Sequence, residues 1–304
     1  MRTGYGFARL VGCLLVLGLL VPALAGQGLV QSYPKCQAVV DWEASAATVR
    51  GHAPLAKGAG AASVRRARAA ALRNAQQNAV SLSEVIVPFA GTAQRKRAMA
   101  NEARQAATRA KVVAWKRLPD GRLEVAIRMP LVGRSGLSGR MKRHLRRMPT
   151  MALLPRSAVG TRDMATTTGE EKLLTPADAK GPFTGLIVDA RGFGIQTAMS
   201  PVVYDSKNKE VYGGRFADAD FVEEVGIVGY MGSIKAATGT SRVGKTPLVL
   251  RATGSPDQFH RCLSVSDEDA ARIRAADKAA GFLKKCAVTI VIDKAASAAP
   301  ESDS

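Results

Sequence analysis

The chain has 304 residues, with 44 lysines and arginines against 25 aspartates and glutamates, a formal net charge of +19. That charge is confined to one region. Between Lys57 and Arg147 there are 21 basic and 4 acidic residues, whereas Met151 to Ser304 carries 19 of each, so the second half is excluded as a polyanion binder and only the first half is a candidate. After removal of the first 25 residues the length allows two domains, each able to bury its own core, and no later segment is apolar enough to span a bilayer.

Met1 to Ala25 reads as a secretory signal. It has a basic start at Arg2 and Arg9, an apolar stretch from Leu10 to Ala25, and Ala23-Leu24-Ala25 as a small-x-small peptidase site, with cleavage expected before Gly26. An uncleaved anchor is the alternative, but Pro22 interrupts the stretch, which falls short of the roughly 18 to 20 residues that a spanning helix needs. Leu10-Val11-Gly12-Cys13 matches a lipoprotein box in letters, yet it opens the apolar region instead of closing it, so Cys13 is not expected to carry lipid. The mature protein is therefore expected in the periplasm or on the periplasmic face of the outer membrane. Its cysteines are Cys36, Cys262 and Cys286, enough for one pair and one leftover thiol in an oxidising compartment.

Residues 26–46 read as a lead segment, and 47–132 as a basic helix-on-sheet domain. Ala47 to Leu55 is a strand candidate, with Val49 alternating against polar neighbours. From a Ser63 cap to about Glu84, Val64, Ala67, Ala71, Ala75, Ala79 and Leu82 recur at spacings of three or four, which predicts an amphipathic helix; Arg65, Arg66, Arg68 and Arg73 fall off that stripe. A second Ala/Arg-rich helix is expected from Thr92 to Arg109. Lys111 to Arg117 and Arg122 to Met129 flank Leu118-Pro119-Asp120-Gly121, a hairpin signal because proline presets one turn dihedral and glycine accepts a positive φ.

The pattern dissolves over 133–181, with Thr166 to Glu171 the most linker-like part, so the domain boundary is placed there. A second α+β domain is expected over 182–293. Phe183 to Ala190 reads as a buried strand, Pro201 to Tyr212 as a hairpin turning at Ser206 to Lys209, and Pro247 to Ala252 and Arg261 to Val265 as further strands. Ser266 and Asp269 form a capping box that opens a helix to about Gly281, and Cys286 to Asp293 is the last strand. Residues 294–304 read as a disordered tail. The fold class expected is α+β: two small domains, each an Ala-rich or capped helix packed on a small, mainly antiparallel sheet.

Gly239 to Thr246 fits the phosphate-binding P-loop letter for letter, but that chemistry needs a strand before the loop and a helix after it. Pro247-Leu248-Val249-Leu250 reads as a strand, so the segment is expected to be a basic loop. His260 and Cys262 lie two apart, on one face if the segment is a strand. With Cys286 they leave three readings: a Cys262 to Cys286 disulfide pinning the intervening helix, part of a metal site whose fourth ligand is not evident, or free buried thiols. His52 and His144 are isolated. There is no Gly-x-Ser-x-Gly nucleophile elbow, and Asp189 and Asp205 have no identifiable acid or base partner. The chain is accordingly expected not to be an enzyme and to need no cofactor, with an exported enzyme or metal-binding protein using His260, Cys262 and Cys286 as the alternative.

The helix arginines Arg65, Arg66, Arg68 and Arg73, and the run Arg140, Lys142, Arg143, Arg146 and Arg147, are the candidate polyanion contacts. Solvated helix surface is the alternative. Export, and a region whose aromatic residues are Phe89 and Trp115, argue against nucleic acid; an anionic envelope polymer or an acidic protein surface fits better, and peripheral membrane contact is allowed.

Val49-Arg50-Gly51-His52-Ala53-Pro54-Leu55, the Ala/Arg helix, Val112 to Trp115 and Leu123 to Ile127 together resemble the N-terminal domain of flagellar assembly protein T and the twenty-kilodalton outer-membrane lipoprotein family. The resemblance covers about 47 to 131 and rests on composition. Phe183 to Gly194, Glu210 to Gly213 and Arg242 to Val249 resemble the C-terminal half of bacterial envelope proteins that carry the same first domain. The resemblance implies an alanine-rich helix packed on a small sheet, a bacterial envelope location and a structural or assembly role, with flagellar basal-body or outer-membrane proteins as partners and no catalytic residues to transfer. The chain departs from the lipoprotein branch in lacking a cysteine at the cleavage point, and in its high basic charge.

Overall fold

The computed structural model describes residues 29–87, 92–146 and 173–293. The signal segment, the Gly26 cleavage point, Arg147, Thr166 to Glu171 and the tail from Lys294 lie outside them.

The first element among the described residues is β1 (Val30–Tyr33), which turns through Pro34–Cys36 and a left-handed Gln37 (φ 47°) into β2 (Ala38–Asp41). What reads as a lead segment is thus a hairpin, short enough to be hidden by its turn residues. β3 (Ala46–Pro54), α1 (Ala61–Ile86), α2 (Ala93–Thr108), β4 (Lys111–Arg117) and β5 (Arg122–Pro130) follow. The five strands form an antiparallel sheet in the order β1-β2-β3-β5-β4. As the Pro-Asp-Gly turn predicts, β4 and β5 are a hairpin, with Gly121 at φ 81°.

The alanine stripe of α1, with Ala71, Ala75 and Ala79 fully buried, lies on β3 and β5. Small side chains permit close approach: a Cβ placed on Gly51 of β3 would sit 2.2 Å from the Ala75 amide nitrogen. Helix α1 begins at Ala61 with an extended Gly60 as its cap, three residues before the expected Ser63; the Ser63 hydroxyl instead accepts a hydrogen bond from Arg66. Thr92 caps α2, accepting from the Arg95 amide.

Residues 137–146, expected to be linker, form α3 (Leu137–Arg146). Leu137, Met141 and Leu145 recur every four residues and are buried, a stripe obscured in sequence by the dense basic residues between them.

The second half contains β6 (Gly185–Asp189), β7 (Val203–Tyr204), β8 (Glu210–Tyr212), α4 (Ala219–Val225), β9 (Gly229–Met231), α5 (Ile234–Thr238), β10 (Pro247–Arg251), β11 (Leu263–Ser264), α6 (Asp267–Ala280) and β12 (Val288–Val291). The protein is α+β, but the expectation of a mainly antiparallel second sheet is corrected: β10-β6-β12-β9 is parallel throughout. All residues of β6 and β12 are buried, and strands covered on both faces are uninterrupted apolar runs, the hallmark of parallel sheets. A second small sheet, β11-β7-β8, carries the expected hairpin. Ser266 caps α6, accepting from the Asp269 amide, and Gly281 closes it at φ 62°.

The two halves meet in one continuous hydrophobic cluster. The Trp42 ring packs edge-on against Tyr230 at 5.2 Å, the Met199 amide donates to Ile86 O at 2.7 Å, and the Gly133 amide donates to Glu223 O at 2.7 Å.

Candidate functional site

Burying Ala67, Ala71 and Ala75 against the sheet leaves Arg65, Arg66, Arg68 and Arg73 on the outward side of α1, and all four are exposed. Among the described residues none of them pairs with a carboxylate. The Arg68 guanidinium lies 5.6 Å from the centre of the Trp115 ring, a cation–π contact worth about 0.5–1 kcal/mol at an exposed site. Trp115 belongs to β4, an edge strand with all seven residues exposed. Its Lys111 and Lys116 add positive charge, and Arg117 donates to Ala56 O at 2.8 Å. Helix α1 and the sheet edge thus form a basic face with one aromatic ring in it, suited to long-range attraction of an anionic surface and to charge-assisted hydrogen bonds on contact.

The run from Arg140 is spent differently, because α3 is wedged between α2 and α4. Lys142 Nζ sits 2.6 Å from Glu223 Oε2, and this hydrogen bond holds the Glu223 carboxyl below the usual carboxylate range. Arg146 Nε donates to Ala217 O at 2.8 Å, and Arg140 donates to Gln105 Oε1 at 2.5 Å. Arg143 remains exposed. The structure therefore does not join this run into one exposed stripe.

The P-loop letters are structural. Gly239 ends α5, and no helix follows the loop; Thr246 leads directly into β10. The segment is the expected basic loop, and it contains one largely buried arginine: Arg242 donates to Cys286 O at 2.9 Å, to Gly226 O at 3.3 Å and to Val225 O, tying the end of α4 to the start of the last strand.

The grouping of His260 with the thiols is also corrected. His260 has φ 52° outside any strand and is exposed, whereas Cys262 and Cys286 are buried. Of the three readings for the thiols, the structure has both free and no disulfide between them. They precede strands of different sheets, β11 and β12, and each is enclosed by its own neighbours. Burial raises both above the ordinary thiol value, Cys286 to about 11. No cluster of three His, Cys, Asp or Glu side chains suited to a metal occurs among the described residues.

Asp189 is clamped by Arg191 at 2.7 and 2.9 Å, and Asp205 by Arg274 at 2.8 Å and the amides of Lys207 and Lys209. Sequence reasoning missed Asp257, which is fully buried and accepts from the amides of Phe259, Arg261 and Cys262. Its Ser255-Pro256-Asp257 turn chemistry was the available signal. No described helix is long and apolar enough to cross a membrane. Among curated proteins, none matches the chain. Residues 185–294, from the start of β6 to just beyond β12, are similar to the second domain of Treponema pallidum Tp0624.

Proposed function

We propose that this is a non-catalytic, exported cell-envelope protein, a structural or assembly component that docks on an anionic envelope polymer or an acidic protein surface through the face formed by α1 and β4. In this reading the signal segment is cleaved before Gly26, the mature chain works in the periplasm or on the inner face of the outer membrane, and a flagellar-associated role is one setting for it. The observation that carries the docking role is the contrast between the two basic segments. The α1 arginines are exposed and unpaired with carboxylates among the described residues, while Arg140, Lys142 and Arg146 are consumed by internal contacts.

The test is envelope retention of the mature protein in which Arg65, Arg66, Arg68 and Arg73 are all changed to Glu. Exposed charge contacts weaken as salt screens them, so wild type is expected to stay with the envelope at low salt and be released by a high-salt wash. The reversed variant is expected in the soluble fraction at low salt. Its thermal stability should stay close to wild type, since unpaired surface charges contribute about 0–1 kcal/mol each. Unchanged low-salt retention of the folded variant would refute the docking role.

A further inference from the structure

Strand β4 lies at the edge of the five-stranded sheet and has no neighbour beyond it among the described residues. The hydrogen bonds that flank the strands show which of its main-chain groups are unused. Leu118 N donates to Arg122 O, whereas Leu55 N donates to Gly121 O and Leu131 N to Ser45 O. Bonding alternates along an antiparallel pair, so the even-numbered residues of β5 bond β4 and the odd-numbered ones bond β3. Ala114, Lys116 and Leu118 therefore turn their main chain to β5. The N–H and C=O groups of Trp115 and Arg117, opposite Val125 and Leu123, point out of the sheet edge and meet no partner among the described residues.

A bulge sorts the side chains of this edge. The register shifts between Val112 and Ala114, which makes Val113 the extra residue. Directly opposed side chains share a face. Val112 and Trp115 stand opposite Ile127 and Val125, and Val125 in turn pairs with Gly51 at the crossing with α1. They therefore lie on the α1 face, where the Arg68 guanidinium meets the Trp115 ring. Lys111, Ala114 and Lys116, opposite Arg128, Ala126 and Glu124, lie on the other face. Without the bulge, residues 111 and 116 would fall on opposite faces. All of these β4 side chains are exposed. Lys111 and Lys116 make no hydrogen bond or ion pair among the described residues, and Glu124, opposite Lys116, is engaged by His52 at 2.9 Å.

A chain laid along this edge meets open main-chain donors and acceptors, an apolar row on one face and two ammonium groups on the other. The complement is an extended polypeptide whose residues alternate between apolar and acidic, because successive side chains of a strand point to opposite faces. In such strand addition the main-chain bonds supply affinity and the alternate side chains supply specificity. Strand β4 contains no acidic residue, so a second copy would bring lysines against a basic edge, an arrangement that destabilises cross-strand pairs and keeps edges from pairing with themselves. An anionic polymer would satisfy the ammonium groups but use neither the outward main chain nor the apolar row.

We propose that the β4 edge binds an acidic polypeptide segment as a further strand of the sheet, its apolar residues against Val112 and Trp115 and its carboxylates against Lys111 and Lys116. The inference rests on the docking role of the α1 and β4 face and names the partner there as a protein segment in extended form. The probe is a short, end-blocked fluorescent peptide that alternates glutamate and valine. A peptide of the same composition, with the glutamates and valines in separate blocks, is the control for charge alone. Both are titrated into the mature protein by fluorescence anisotropy, and amide exchange of the saturated complex is read by NMR.

The alternating peptide is expected to bind saturably, about tenfold more tightly than the block peptide, and to slow exchange of the Trp115 and Arg117 amides by about tenfold or more. Trp115→Pro removes an outward N–H on the free side of an edge strand, where proline is tolerated. It is expected to bind the alternating peptide about tenfold more weakly than Trp115→Ala, which loses the ring but keeps the amide. Absence of saturable binding, equal binding of the two peptides, or equal affinity of the two folded variants would each overturn strand addition. So would binding that leaves both amides unprotected, which would give the face to an anionic polymer. Dimerisation of the free protein with those amides protected would overturn it in favour of a second copy. The docking role is judged separately, by envelope retention of the charge-reversed α1 variant: release of that variant together with a failed peptide titration would keep the docking role and reject the strand.

Discussion

Replacing Gly51 with Ala adds one methyl group at the closest crossing of α1 and β3. The new Cβ would lie 2.2 Å from Ala75 N, 2.4 Å from Ala71 O and 2.7 Å from Ala75 Cα, all backbone atoms with no rotamer through which to yield. Ordinary contact begins near 3.4 Å, so the helix must withdraw by roughly 1 Å, and a gap of that size forfeits about a quarter to a half of each affected dispersion contact. The loss falls on the stripe from Ala67 to Ile86, which the sheet covers along its length. Overpacking costs about 1–3 kcal/mol, and the rigidity of these neighbours places Gly51→Ala at about 3 kcal/mol. For a chain of this size that lowers Tm by about 6–12 °C. The control is Gly239→Ala, at φ −78° with its nearest atoms at 3.5 and 3.6 Å, where a change within about 0.5 kcal/mol is expected. Both are measured by thermal and urea unfolding followed by circular dichroism. A Gly51→Ala protein melting within about 2 °C of wild type would refute the argument that α1 rests on the strand backbone.

Arg242→Met removes the donors to Val225 O, Gly226 O and Cys286 O; a loss of about 3 kcal/mol is expected in urea unfolding, with little rescue by Lys, whose single ammonium cannot span three carbonyls. Thiol titration of the native mature protein is expected to find Cys36, Cys262 and Cys286 unreactive near neutral pH and all three reactive after denaturation without reductant; a single reactive thiol would contradict the free pair. Because the Glu223 carboxyl is held below its ordinary value of 4.5, its contribution is present above that value and is lost as pH falls through the depressed folded one. Protection factors in α3, which correct for the intrinsic pH dependence of amide exchange, should therefore fall in that acid window, and Glu223→Gln should remove that fall.

Local chemistry made much of the first half legible. The alanine spacing of α1, the Ala/Arg-rich run of α2 and the Pro119-Asp120-Gly121 turn each act within a few residues, so no knowledge of distant partners was required. The same holds for Ser266 and Gly281 at the ends of α6. The candidate arginines on α1 were legible for a related reason: whatever buries the alanine stripe must leave them outside. Parallel pairing of β6, β10 and β12 was not, although the uninterrupted Leu186-Ile187-Val188 run carried a trace of it, because strand direction depends on crossovers and not on any one strand. Nor was the division of the basic residues.

The amino-acid sequence by itself determined the courses of α1, α2 and α6 and the β4–β5 turn to within a few residues, where the positive charge is concentrated, and that Gly239 to Thr246 opens into a strand and so lacks the helix a phosphate loop needs. Only the tertiary structure decided what each charge does. Arg68 meets Trp115, Lys142 meets Glu223 and Arg95 meets the end of α3 across 47, 81 and 49 residues of chain. The physical reason is that an arginine on an exposed helix and one buried among carbonyls have the same local sequence preferences. Their energies differ through desolvation and partners, which distant segments supply.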